Sequence, residues 1–227
     1  MLVNDIHLFT INPLMRLSVI LPFLLLSTIE TTLAQSAYVK MGQQAVMDGD
    51  FRSAVAHLEK ACITDSTNAN ALWMLGYSYY HSDNYKKSIT AYTRVIAIKP
   101  ADATAYYYRA RAKSYLGKDN QTKDADKELY LLGAIVDLTK AISINDDPGD
   151  SKYYQNRGIA YRDYGMFKLQ TNSRFYDRSR GINSLKASIA DLEKILNANP
   201  GRNDIAALID QSKEKLTQAS LTAATKH

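Results

Sequence analysis

The sequence predicts an all-α chain, an α-solenoid of about four helix-turn-helix units with a C-terminal capping helix. Three observations carry this. A pattern of small and aromatic residues returns after 34 residues, from Gly42 to Gly76. Each period holds two stretches with apolar residues at helical spacing, joined by a short polar turn such as Asp83-Asn84. A last amphipathic stretch, 203–217, follows the final period and has no second helix of its own.

Composition is compatible with a packed core. The chain has 227 residues, is 46% hydrophobic and contains one Cys, which excludes a collagen, a low-complexity chain and a disulfide scaffold. Its aromatic content is unusual: 16 Tyr stand against 5 Phe and 1 Trp, and a ring with a polar tip suits half-buried surfaces. The formal charge is +5, a balance that admits anionic partners without choosing among them.

Residues 1–34 are expected to be a signal peptide. Arg16 precedes the apolar run Leu17–Ser27, and Thr32-Leu33-Ala34 supplies small residues for cleavage near Ala34. Met15 would itself open a compact leader. A membrane-spanning helix needs roughly 20 apolar residues. This run has 11, contains Pro22 and is followed by Glu30. Membrane contact is expected only if the segment is retained. No Cys stands at the cleavage point, so a lipid anchor is not supported. The expected location is periplasmic or secreted, with Cys62 as a small buried residue of a helix.

The units are placed at 35–68, 69–102, 103–148 and 149–202, the capping helix at 203–217 and a frayed tail at 218–227. The first unit shows Gly42, Gly49-Asp50-Phe51, Ala54, Leu58 and Ala61. The second shows Gly76, Asp83-Asn84-Tyr85, Ser88, Tyr92 and Val95, ending at Pro100. Its helices are predicted over about 71–81 and 85–98. Tyr106 and Ala110 open the third series, which closes through Ala134 and Ala141. Tyr154, Gly158 and Tyr161 open the fourth, which closes through Ser188, Leu192 and Pro200. Small residues stand where helices approach closely, and Tyr79, Tyr92, Tyr161 and Leu192 fill the space between. In the cap, Ile205, Leu208, Ile209 and Leu216 share one face.

The third and fourth units carry 12 and 18 extra residues between their two helices. Leu129, Leu132 and Val136 continue the helical spacing backwards, as do Leu185, Ile189 and Leu192, which predicts two elongated helical hairpins side by side. They either dock on each other or present a partner-specific surface, the fourth being the more basic, with Lys168, Arg174, Arg178, Arg180 and Lys186.

The period, the aromatic-small-Tyr first half, the small-aromatic-small second half and the terminal Pro resemble the tetratricopeptide repeat, over essentially everything after residue 34. The resemblance implies that the first helices of the units line a concave groove that holds a partner segment. It places Val39, Gln43 and Met47 there from the first unit, and Trp73, Tyr77, Tyr80 and His81 from the second. Tyr107, Arg111 and Tyr115 follow from the third, and Lys152, Gln155, Arg162 and Asp163 from the fourth. The expected partner-binding set is Trp73, Tyr77, Tyr80, His81, Tyr107, Arg111, Tyr115 and Arg162, types that dominate interface energetics. Such walls suit an extended or Pro-rich peptide. The Lys and Asn of the family's carboxylate clamp are missing, their places being taken by Val39, Gln43 and Met74.

No catalytic site, metal site or cofactor is expected. His57 and His81 lie in different units without Cys or carboxylate at ligand spacing. No nucleophile elbow or phosphate-binding Gly loop occurs, and Asp137 and Asp191 read as equivalent, solvent-facing positions. The expected function is a non-catalytic protein-interaction scaffold of the cell envelope that takes a peptide segment. The alternatives are an assembly subunit packing through the inserted hairpins, and a basic binder of anionic polymer or membrane. Nucleic acid is not expected as a partner.

Overall fold

The computed structural model describes residues 36–145 and 151–224. The expected signal segment 1–34 lies outside them. Among the described residues there are nine helices and no strand. They are α1 (36–47), α2 (Phe51–Thr64), α3 (Ala69–His81), α4 (Tyr85–Ile98), α5 (Ala103–Lys118), α6 (Asp124–Ile144), α7 (Ser151–Lys168), α8 (Arg178–Ala198) and α9 (Asn203–Ala224). Each packs chiefly on its neighbours in sequence, and α3, α5, α7 and α9 also touch one another in series. The odd-numbered helices therefore form one layer and the even-numbered helices the other, as in a solenoid.

Local chemistry explains the boundaries. Asp50, Asn68, Asp102 and Asp177 each accept a hydrogen bond from the backbone N–H three residues on, at 2.9–3.0 Å, and so start α2, α3, α5 and α8. The turns into α2 and α4 need a left-handed residue, met by Gly49 (φ 75°) and Asp83 (φ 56°). The Asp83 carboxylate accepts the Tyr85 hydroxyl at 2.6 Å.

Within a unit, the two helices cross at a small residue. A Cβ on Gly76 would lie 3.0 Å from the Tyr92 ring, and one on Gly158 would lie 2.9 Å from Leu192. The Ser88 hydroxyl, buried at the same crossing, donates to the Gly76 carbonyl at 2.9 Å. Around these crossings Leu58, Leu72, Tyr92 and Val95 build one core, and Leu131, Leu138, Tyr164 and Phe167 build a second. Cys62 is buried in α2 as expected, and burial raises its thiol pKa. His57 lies against the Tyr38 ring with centroids 6.5 Å apart.

The inserted residues are helical, as the backward-running apolar spacing predicts. They lengthen α5, α6, α7 and α8, leaving turns at 119–123 and 169–177. The two hairpins dock on each other. Lys168 Nζ, buried, donates to Glu128 at 3.0 Å across the hairpins, and Lys118 approaches Asp163 at 3.5 Å. Gly165 and Gly181 bring α7 and α8 so close that a Cβ at Gly165 would meet the Gly181 carbonyl at 3.0 Å.

Two expectations are corrected. Asp137 and Asp191 do not face solvent, since Asp137 is 2% exposed and Asp191 is also buried. Arg109 donates two bonds to Asp137, at 2.8 and 2.6 Å, and reaches Thr93 of the preceding unit at 3.1 Å. Arg157 repeats the arrangement on Asp191, at 2.7 and 2.8 Å, and on Thr139 at 3.2 Å. Lys113 adds a third donor to Asp137 at 2.7 Å. Burying a carboxylate is costly, and these charge-assisted bonds offset that cost. The second correction concerns α9, which runs past 217 to Ala224, so 218–224 are helical rather than frayed. Its last turns are held by the Arg178 side chain, which donates to the Ala219 carbonyl at 3.1 Å.

Asp137→Ala leaves Arg109 and Lys113 buried without their counter-charge and is expected to cost about 3–5 kcal/mol. Glu193→Ala removes only the exposed pair with Lys213 and is expected to cost less than about 1 kcal/mol. Urea unfolding of the two variants measures the difference, and equal losses would refute the clasp's role.

Candidate functional site

The candidate groove is built on α3 and α5, whose side chains meet across the unit boundary. Trp73 and Tyr77, one turn apart on α3, stack with centroids 5.6 Å apart and planes 13° from parallel. Tyr108 of α5 stands edge-on to both, at 5.7 and 5.4 Å. The strip continues at one end through His81, 4.3 Å from Tyr77, to Phe51 of α2, which stacks on His81 at 4.7 Å. At the other end Tyr107 meets Tyr108 and then Tyr153 of α7, at 5.2 and 5.5 Å. Rings from four helices thus form one continuous aromatic cluster, its pairs edge-on or stacked except for the tilted Tyr77–His81 contact, with Tyr153 itself buried.

Arg111 of α5 lies in this surface. Its guanidinium sits 4.9 Å from the Tyr80 ring, 5.5 Å from Tyr107 and 5.9 Å from Tyr108. It is half-buried, and no carboxylate among the described residues lies within ion-pair distance. Arg109, two residues earlier, spends two donors on Asp137. Arg111 is held by ring faces alone, so its donors are free for a ligand.

Five of the expected residues, Trp73, Tyr77, His81, Tyr107 and Arg111, come together on this surface. Tyr115 adjoins it, exposed and stacked on Tyr85 with centroids 4.7 Å apart. Tyr80 is corrected from groove wall to groove floor. It is 5% exposed, because Tyr85, Tyr108 and Tyr115 cover it, and burial raises its hydroxyl pKa. Arg162 is corrected from ligand contact to structural tie: it donates to Gln211 of α9 at 2.9 Å and pairs with Asp163. Gln155 is also engaged, accepting from Arg202 at 3.1 Å. Val39 packs against the first core, and Met47 is exposed.

Sequence reasoning missed Tyr108, the ring that touches Trp73, Tyr77, Tyr80, Tyr92 and Tyr107 at once. The run Tyr106-Tyr107-Tyr108 carried the signal. Three consecutive rings on a helix span well over half its circumference, so one must face the adjacent unit. Phe51 was read only as a turn marker. Among the described residues, no group of three or more His, Cys, Asp or Glu side chains could hold a metal ion. None of the described helices is long and apolar enough to cross a membrane.

The family model for the tetratricopeptide repeat matches residues 69–102, the second unit. The repeated helix pairs, stacked in order, are those of a tetratricopeptide-repeat-like solenoid, and the rest of the chain is similar to that family in fold. No curated protein matches it. Among solved structures it is similar to a crystal structure of MamA, at 25% identity and a TM-score of 0.51, covering 72% of this chain and 81% of that one. A second MamA crystal structure aligns at 19% identity and a TM-score of 0.51, covering 82% and 90%. MamA from Desulfovibrio magneticus RS-1, residue 41 to its end, aligns at 13% identity and a TM-score of 0.51, covering 82% and 96%. The last two show the common fold.

His81 reports on the site's charge. Burial among rings, and secondarily the positive charge of Arg111, hold its pKa below the ordinary value, against a smaller opposite pull from Asp83. Folding therefore disfavours protonation. The His81 contribution to stability is complete above the unfolded value of about 6.5 and declines as pH falls from there through the folded pKa. Arg111→Gln is expected to move the His81 midpoint upward in an NMR titration. An unchanged midpoint would mean that the Arg111 charge does not reach this end of the groove.

Proposed function

We propose that this protein is a non-catalytic interaction scaffold, and that the α3–α5 groove binds an extended peptide segment of a partner protein through a carboxylate placed among aromatic walls. The single observation that carries this reading is Arg111, a half-buried guanidinium held by tyrosine rings and lacking an acidic partner among the described residues. The other half-buried arginines of the odd-numbered helices, Arg109, Arg157 and Arg162, each pair with an aspartate. An arginine left open in a ringed hollow is suited to take a carboxylate from outside, bidentate and partly desolvated. Trp73, Tyr77 and Tyr107 supply flat apolar surface for the adjoining residues at low entropic cost.

The partner's setting rests on the leader. A basic residue, a short apolar run and small residues at 32–34 support export, and hence an envelope or secreted partner. The second reading, an assembly subunit, is favoured by one feature. Leu129 and Val136, 69% and 64% exposed, stand two turns apart on α6, outside the groove. The docking of the two hairpins on each other accounts for the rest of the inserted sequence.

An array of extended peptides, each with one Asp, Glu or free terminal carboxylate beside Pro or an aromatic residue, tests the proposal. Bound peptides are expected to quench or shift Trp73 fluorescence. Arg111→Gln and Trp73→Ala should each weaken them at least about tenfold, or about 1.4 kcal/mol. Binding that survives both variants, or that is lost instead on Leu129→Lys with Val136→Lys, would move the site to the outer face.

A further inference from the structure

A cavity of about 280 Å³ lies away from the groove, where the end of α7 and the 169–177 turn meet the start of α8 and the last turns of α9. Met166, Leu169, Tyr176 and Ala219 give it an apolar lining, and Arg178 and Lys215 bring two cations to it. Its walls are preformed. The turn is fastened by Asp177 N–H donating to the Lys168 carbonyl at 2.8 Å and by Phe175 packing on Phe167 with centroids 5.7 Å apart. Arg178 is oriented by its Nε bond to the Ala219 carbonyl, and its terminal nitrogens have no hydrogen-bond partner among the described residues. Lys215 donates to Gln218 at 3.2 Å. Asp177, the adjacent acid, pairs with Arg180 rather than Arg178. Among the described residues no carboxylate lies within ion-pair distance of Arg178 or Lys215.

A partly open apolar pocket with two cations that no described carboxylate pairs matches a short amphiphile with an anionic head. At about 30 Å³ per water-sized group, the cavity holds a chain of roughly eight to ten heavy atoms. That is near the lower limit of about 300 Å³ for small-molecule pockets, too small for a folded peptide element. We propose that this cavity is a binding site for a medium-chain carboxylic acid. The acyl chain lies against Met166, Leu169, Tyr176 and Ala219, and the carboxylate pairs with Arg178 and Lys215. Burial of the chain supplies most of the affinity, and the two cations select the charge of the head. The site is independent of the α3–α5 groove, sharing no residue with it.

Titration calorimetry of the full chain with octanoate tests this, with octanol and octylammonium as chain-matched controls. Octanoate is expected to bind at one saturable site, and both controls at least about tenfold more weakly. Lys215→Gln should weaken octanoate at least about threefold, and Arg178→Gln with Lys215→Gln at least about tenfold. Lys215 holds no other element in place, so its variant keeps the test valid if Arg178→Gln loosens α9. Arg111→Gln should leave octanoate binding unchanged, which separates this site from the groove. The proposal is overturned if octanoate shows no saturable binding at millimolar concentration, if the three amphiphiles bind alike, or if Lys215→Gln changes nothing. Tighter binding of a Leu-Leu dipeptide with a free carboxylate would overturn it in favour of a peptide end.

Discussion

The spacing of the two helices within a unit is fixed where a large side chain of the second helix seats on a small residue of the first. Gly76 receives Tyr92 and Gly158 receives Leu192, each with no room for a Cβ. Close approach at these points buries Tyr92 and Leu192 completely and puts the paired helices in one plane of the stack. One such pair still exposes an apolar flank, so the next unit must cover it. The Arg109 and Arg157 clasps act at those covers, each joining an aspartate of its own unit to a threonine of the unit before. Tyr106 and Tyr154 lie beside the two guanidinium groups at 5.5 Å, so the clasps are closed on one side by a ring. Packing sets distance, and the clasps add direction, because a bidentate arginine pair tolerates little rotation.

Stacking also makes the aromatic surface of α3 and α5. Because α3 and α5 belong to one layer, side chains that leave the core on their common side face one another, and tyrosines there meet in pairs. The same side chain type plays two parts. Tyr79 and Tyr92 are buried and support the stack, whereas Tyr77 and Tyr107 are half-exposed and define a surface. Two arginines separated by one residue divide in the same way. Arg109 faces α6 and finds Asp137; Arg111, rotated about 200° around α5, faces the rings and finds no acid.

The fold was largely legible because its information is periodic. Gly42, Gly76 and Gly158 mark the crossings, and Asp83-Asn84 and Asp50 mark the turns, all at fixed offsets. The inserted hairpins were legible for the same reason, since Leu129, Leu132 and Val136 carry the helical period backwards. What was not legible depends on the rotation of one helix against another. Asp137 sits in an Ile-Val-Asp-Leu stretch that reads equally well with its carboxylate outward. Its burial is decided by Arg109 and Lys113, 28 and 24 residues away in sequence. Tyr80 reads as a wall by its place in the repeat, yet Tyr108 and Tyr115 of the next unit cover it. Arg162 reads as a groove cation, but Gln211 of the closing helix takes it up. Each miss is a long-range partner overriding a local pattern.

The account turns on Arg111 being a free positive charge in an accessible aromatic hollow. Trp73 is the single tryptophan and lies next to Tyr108, the ring beneath that guanidinium. Its fluorescence can therefore be quenched by iodide and by caesium in parallel, in the native chain and in Arg111→Gln. A free Arg111 predicts that iodide quenches Trp73 more strongly than caesium and that Arg111→Gln removes most of the difference. Equal quenching by the two ions, or an iodide preference that persists in Arg111→Gln, would contradict it.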